Sequence, residues 1–91
     1  MNLKIENKYF VVGGAGSGFG KAIAEQLASE GAIVLAISRT VEKLVLLKDK
    51  FPINIDYLCG DIMNQITQQK IIDWCNEKTI SGIVFNASGP P

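Results

Sequence analysis

Four short apolar runs punctuate this chain, separated by longer stretches in which apolar and polar residues recur at helical spacing. The first run, Tyr9-Phe10-Val11-Val12, is β-prone and ends directly in glycines, as a strand buried in a parallel sheet does. From Phe19 to about Glu30, apolar Phe19, Ile23 and Leu27 share a side with Ala22 and Ala28, while Lys21, Glu25, Gln26 and Glu30 face away. That pattern predicts an amphipathic helix, stopped by Gly31. Ala32–Ile37 is continuously apolar and too short for a lone helix, so it reads as a strand covered on both faces, ending at Ser38-Arg39. Thr40 is placed to cap a second helix whose stripe is Val41, Leu44, Val45 and Leu47, with Pro52 marking its end. A third strand fits Ile53 to Cys59. A third helix, about Asn64 to Glu77, buries Ile71, Trp74 and Cys75 and leaves Gln68, Lys70 and Asp73 more exposed, and a fourth strand is Gly82–Asn86. The order β-α-β-α-β-α-β is that of an α/β domain with an open parallel sheet and crossover helices.

Length and composition narrow this to one domain. The 91 residues are 47% hydrophobic and 20% charged, enough apolar content for a core and too little charge for a disordered chain. Nine Lys and Arg balance nine Asp and Glu, so there is no basic field to attract nucleic acid or an anionic membrane. The first eight residues are mostly polar, and no stretch approaches the roughly 18 uninterrupted apolar residues of a membrane span; the expected location is cytoplasmic. Cys59 and Cys75 lie outside any C-x-x-C spacing and read as buried small hydrophobes in a reducing compartment. The absence of histidine removes Ser-His-Asp and Cys-His catalysis and every His-ligated metal site, so no metal is expected.

The chemistry lies in the glycine loop Gly13-Gly14-Ala15-Gly16-Ser17-Gly18-Phe19-Gly20. Set between an apolar strand and an amphipathic helix, it aims backbone N–H groups and the positive end of a helix dipole at one spot, where a pyrophosphate is favoured. The nucleotide loop G-x-x-x-x-G-K-[ST] fails, because Ala15 stands five before Gly20 and Ala22 follows Lys21. The spacing G-x-G-x-x-G fails because Phe19 stands where Gly14 and Gly16 would need a third glycine. What remains is G-x-x-x-G-x-G at Gly14, Gly18 and Gly20, in a Rossmann-type setting. Such folds bind the ribose 2′-OH of NAD through an acid at the end of the second strand, whereas an Arg there suits a 2′-phosphate. Ser38-Arg39-Thr40 therefore favours NADP(H), with NAD(H) possible: Arg39 offers a planar fork and the two hydroxyls offer further donors. An ordinary solvated Arg39 is the alternative. Lys43, one helical turn on, could add charge there, but a plain solvated helix face is the favoured reading for it.

These residues resemble the short-chain dehydrogenase/reductase family, whose cofactor loop is T-G-x-x-x-G-[IL]-G. Gly13 replaces the usual threonine and Phe19 the usual aliphatic residue. The family's acid after the third strand is matched by Asp61-Ile62, and its N-N-A-G segment by Phe85-Asn86-Ala87-Ser88, so the likeness runs from about Tyr9 to Pro91. It implies that Gly14, Gly16, Ser17, Gly18, Phe19, Gly20, Asp61, Ile62, Asn86 and Ala87 join Ser38, Arg39 and Thr40 around the cofactor, and a dimer or tetramer for the complete enzyme. Asp61 reads equally as an Asx-turn or a cap before the third helix, and Asn86 as a strand-end turn residue. Trp74 and Tyr57 are assigned to packing.

The resemblance also implies a catalytic Ser and a Tyr-x-x-x-Lys pair, and neither Tyr9, followed at four by Gly13, nor Tyr57, followed by Asp61, supplies it. No catalytic residue is therefore assigned, since a bound cofactor needs a positioned acid to reduce a carbonyl. A doubly wound sheet usually continues past its fourth strand, so the sheet is expected to be truncated, with an exposed edge. Three readings follow: the N-terminal part of an NADP(H)-dependent oxidoreductase, a non-catalytic dinucleotide-binding or self-associating module, and a degenerate fragment.

Overall fold

Successive side chains of a strand point to opposite faces, so each apolar run feeds two layers at once. In the computed structural model, which describes residues 4–85, β1 (Tyr9–Gly13), β2 (Ile33–Ser38), β3 (Ile55–Cys59) and β4 (Ile80–Phe85) form one parallel sheet in the order β3-β2-β1-β4. Parallel neighbours require crossovers, and α1 (Gly18–Ser29), α2 (Val41–Lys50) and α3 (Gln65–Cys75) supply them. The Rossmann-type architecture expected from the periodicities is the one observed.

The two faces are packed differently. On one, Val12, Val34, Ala36 and Ile55 of the sheet meet Ala24 and Ala28 of α1 and Leu44 and Leu47 of α2. On the other, Val11, Leu35 and Ile37 are covered by Ile71, Trp74 and Cys75 of α3. Each large side chain fully removed from water, such as Ile37, Leu44 or Ile55, contributes about 1.5–3 kcal/mol before entropy is charged against it. Beside α3 lies an apolar groove of about 400 Å³, lined by Ile62, Met63, Gln68, Ile71, Ile72 and Phe85.

Which residues face inward differs in part from the periodicity. The buried row of α1 is Gly20, Ala24 and Ala28, flanked by half-buried Ile23 and Leu27, whereas Phe19, expected in the stripe, is 68% exposed at the helix tip and Ala22 is exposed. Small residues win the inner row because α1 lies close to the sheet: a Cβ on Gly20 would run into the Gly14 carbonyl oxygen and stand 2.8 Å from its carbon. In α2, Leu44 and Leu47 are buried while Val41 and Val45 stay partly exposed. Strand β3 begins at Ile55, not Ile53, because residues 52–54 turn, and Asn54 Nδ2 donates to the Ala32 carbonyl at 2.9 Å. Helix α3 begins at Gln65, where Asn64 Oδ1 caps it by accepting from the N–H groups of Ile66 and Thr67 at 2.8 and 3.4 Å. Of the two thiols, expected buried, Cys59 is exposed at the end of the outer strand and Cys75 is half-buried.

The outer strand β3 is braced from both sides. Lys48 Nζ donates to the Ile55 carbonyl at 2.6 Å and stands 3.9 Å from Asp56 Oδ1, while Asp56 Oδ2 accepts from Trp74 Nε1 at 2.9 Å. Trp74 packs edge-on against Tyr9, with ring centroids 5.9 Å apart, as its assignment to packing requires. Tyr57, assigned likewise, stands partly exposed on β3.

The Gly20 contact yields an expectation opposite to helix propensity, which favours Ala over Gly by about 1 kcal/mol. Backbone atoms cannot step aside as a side chain can, so Gly20→Ala should lower stability by about 1–3 kcal/mol, read as a fall in the thermal unfolding midpoint. A rise in the midpoint would show that the close approach is not a constraint.

Candidate functional site

The sheet order places β1 between β2, which the chain reaches directly, and β4, which it reaches after reversing direction. This is the topological switch point where open α/β sheets hold ligands beyond their strand ends. The register brings Gly13 level with Ile37 of β2 and Phe85 of β4, and Ser38 level with Cys59 of β3. The segments following β1, β2 and β3 therefore leave the sheet along one rim.

The glycine loop occupies the centre of that rim. Gly14 and Gly18 have φ of 72° and 59°, left-handed values that strain other residues. The Ala15 N–H donates to the Ile37 carbonyl at 2.9 Å and pins the loop to β2. Around Gly18 the space is open, with no atom within 4 Å of where its Cβ would stand. Ser17 is the extended N-cap of α1 but makes no side-chain cap, and α2 likewise has no side-chain cap from Thr40. These two helices keep their first-turn amides available at the rim, whereas α3 closes its own with Asn64. A phosphate chain fits this geometry: backbone donors, little side-chain bulk and helix N-termini at the same rim.

Ser38, Arg39 and Thr40 form the adjoining turn. Thr40 was expected to cap α2 through its hydroxyl; instead its N–H donates to Ser38 Oγ at 3.1 Å, and Ser38 takes over the ordering of the turn. Arg39 is exposed, and among the described residues its guanidinium has no ion-pair or hydrogen-bond partner; Lys48–Asp56 and Lys50–Glu25 pair elsewhere. The Gly60 N–H donates to the Ser38 carbonyl at 2.8 Å, extending the β2–β3 ladder so that Asp61 leaves the sheet beside this turn. Asp61 forms the Asx-turn weighed for it, with Oδ1 accepting from the Met63 N–H at 2.9 Å. Ile62 is half-buried against the Val11, Leu35 and Ile37 cluster, beneath α3. Asn86 and Ala87 lie outside the described residues.

Two features escaped the sequence reading. A Cβ on Gly16 would collide with Ser38 Oγ, so the loop packs directly on the end of β2, while Lys43 is exposed, as its reading as a solvated helix face requires. The tightness at Gly16 signals this, but only once β2 is in place. The second feature is a pair: a Cβ on Gly13 would collide with the ring of Phe85. Gly13 and Phe85 occupy the positions where the family pattern has threonine and the first asparagine, so the two departures fill one space between them.

Comparison with known proteins gives the same picture. The sequence profile described as short chain dehydrogenase matches residues 8–90. The very-long-chain 3-oxoacyl-CoA reductase of Candida glabrata is 44% identical over 84 residues, covering 86% of this chain and 24% of that protein. The L-sorbose reductase of Gluconobacter frateurii, solved with NADPH and L-sorbose, superposes with a TM-score of 0.82 at 28% identity over 98% of this chain and 36% of its own. A short-chain dehydrogenase/reductase of Burkholderia phymatum, solved with NAD, superposes with a TM-score of 0.77 at 26% identity over 89% of this chain and 31% of its own. The chain thus spans about a quarter of the length of the curated relatives it matches.

The shared space of Gly13 and Phe85 is open to a double-mutant cycle in urea. Gly13→Thr alone should cost about 1–3 kcal/mol by overpacking against the ring. Combined with Phe85→Asn, it should cost less than the two single changes added together, with a coupling of about 0.5–3 kcal/mol. Simple additivity would mean that the two positions do not compensate each other.

Proposed function

Since this chain belongs to the short-chain dehydrogenase family, whose profile matches residues 8–90, we propose that it is the NADP(H)-binding part of an oxidoreductase. In the whole protein the reaction is hydride transfer between the nicotinamide and a carbonyl or alcohol. Both the yeast relative and the sorbose enzyme are reductases by name, which supports that class of reaction. The nicotinamide supplies the hydride chemistry when bound, and the residues of this chain bind and orient the dinucleotide.

In this reading the backbone of Gly14, Gly16, Ser17, Gly18 and Phe19 holds the pyrophosphate against the start of α1, while Gly20 sets the distance between helix and loop. Asp61 and Ile62, where β3 leaves the sheet, border the adenine. Asn86 and Ala87, which follow β4 in the sequence, are the remaining cofactor contacts of this reading. Ser38, Arg39 and Thr40 receive the 2′-phosphate of NADP(H). The observation that carries the preference is Arg39: a planar, permanently charged fork without a partner, beside a hydroxyl and the uncapped N-terminus of α2. NAD(H), which has no 2′-phosphate, leaves that fork unused and binds more weakly.

Equilibrium titration of the purified protein with NADPH and NADH checks this directly. NADPH should bind at least about tenfold more tightly than NADH. Because a charge-assisted hydrogen bond contributes about 1.5–3 kcal/mol, Arg39→Glu should weaken NADPH binding by about 10- to 100-fold and leave NADH nearly unchanged. Equal affinities in the unaltered protein, or an NADPH preference surviving Arg39→Glu, would overturn the assignment.

A further inference from the structure

We propose that Gln68 of α3 is a positioning residue for base recognition: acting through the Ile62–Met63 peptide, it fixes the Asp61 carboxylate so that the rim selects a base bearing an exocyclic amino group over one bearing a carbonyl there. This rests on the reading of Asp61 as the base contact of a dinucleotide site, and it is independent of the 2′-phosphate.

One peptide unit carries the relay. Gln68 Nε2 donates to the Ile62 carbonyl at 2.9 Å, and the N–H of the same peptide, that of Met63, donates to Asp61 Oδ1 at 2.9 Å. A carbonyl oxygen only accepts, so the amide nitrogen is the atom that Gln68 must turn toward it. Because a peptide is planar, holding its carbonyl also sets the direction of its N–H, and with it the position of the carboxylate oxygen that the N–H engages. Hydrogen bonds in such a series polarise and strengthen one another. The next residue, Gln69, turns its amide to Asp73 of its own helix at 3.0 Å, whereas Gln68 reaches back past the helix start to the loop.

The backbone around Asp61 is held as well, so the side-chain torsions are the freedom that the relay removes. The Gly60 N–H donates to the Ser38 carbonyl at 2.8 Å, and the Asp61 carbonyl accepts from the Asn64 N–H at 2.9 Å. A Cβ on Gly60 would collide with Oγ1 of the buried Thr67, which seats the end of β3 against α3. With Oδ1 engaged by Met63, Oδ2 is the oxygen left to a ligand: Asp61 is exposed and, among the described residues, has no ion-pair partner. A carboxylate accepts hydrogen bonds and does not donate them. It therefore pairs with the 6-amino group of adenine and repels the 6-carbonyl of hypoxanthine. Held in one rotamer, it makes that choice more sharply than a carboxylate free to turn, because less freedom is lost when the base arrives.

The test is equilibrium titration of the purified protein with NADPH and with its hypoxanthine analogue, in which a carbonyl replaces the 6-amino group. Gln68→Met keeps the length of the side chain and removes the donor, and thermal unfolding shows that each variant is folded. The unaltered protein should prefer the adenine form by about tenfold or more, and Gln68→Met should reduce that preference by about 2- to 10-fold, the effect of one net hydrogen bond. In an Asp61→Ala background, Gln68→Met should leave the remaining preference unchanged, which a purely structural role would not produce. If Gln68→Met leaves the preference intact, weakens both cofactors equally, or lowers the preference as much without Asp61, Gln68 does not act through the carboxylate and the broader reading stands. If the unaltered protein binds both dinucleotides without distinguishing the bases, the assignment of Asp61 falls and this proposal with it, whereas the 2′-phosphate reading, judged by NADPH against NADH, is untouched.

Discussion

A helix can direct its first amides at a ligand held over a neighbouring strand only if it lies near that strand, and here the nearness is set where Gly20 meets the backbone of Gly14. Most of the first face follows from that approach. With the helix so close, its inner row must be small, which accounts for Ala24 and Ala28, and the layer facing it is small as well, with Ala15, Ala32 and Ala36. The face under α3 has no such requirement, and its core is built from Leu35, Ile37, Ile71 and Trp74. The first face also buries Val12, Val34, Leu44, Leu47 and Ile55, so bulk is not confined to the other one.

Helix capping separates in the same way. Asn64 closes the start of α3, which follows the outer strand β3, with a side chain encoded one residue before the helix. Helices α1 and α2 begin at the rim and have no side-chain cap. An N-cap contributes about 1 kcal/mol, so two helices forgo that stabilisation where a phosphate would supply it instead. Ser38 shows how locally this is arranged: its hydroxyl orders the turn through the Thr40 N–H and leaves the amides of α2 uncovered.

The order of elements was legible because it depends on period and punctuation, both local: apolar runs of strand length, amphipathic stretches and glycines at the joins. The orientation of individual residues was less so. Phe19 matched the helical stripe yet stands in solvent, because the inner row had to be small; Val41 and Val45 matched theirs, but α2 buries only the narrow row of Leu44 and Leu47. Cys59 looked like a buried thiol because nothing in the sequence marks β3 as the outermost strand. In the site, Gly14, Gly18, Gly20 and Arg39 were readable from spacing alone, whereas the close approaches of Ser38 to Gly16 and of Phe85 to Gly13 exist only as contacts between segments remote in sequence.

The brace on β3 sets the direction in which the sheet can be extended. At that border Lys48 already occupies the Ile55 carbonyl and Asp56 is drawn toward both helical layers, so an arriving strand would have to evict a lysine and accommodate a carboxylate. The opposite border, Ile80-Ser81-Gly82-Ile83-Val84-Phe85, carries no charge to repel a neighbour. The two borders of this four-stranded sheet thus differ in the charge they would present to a neighbouring strand.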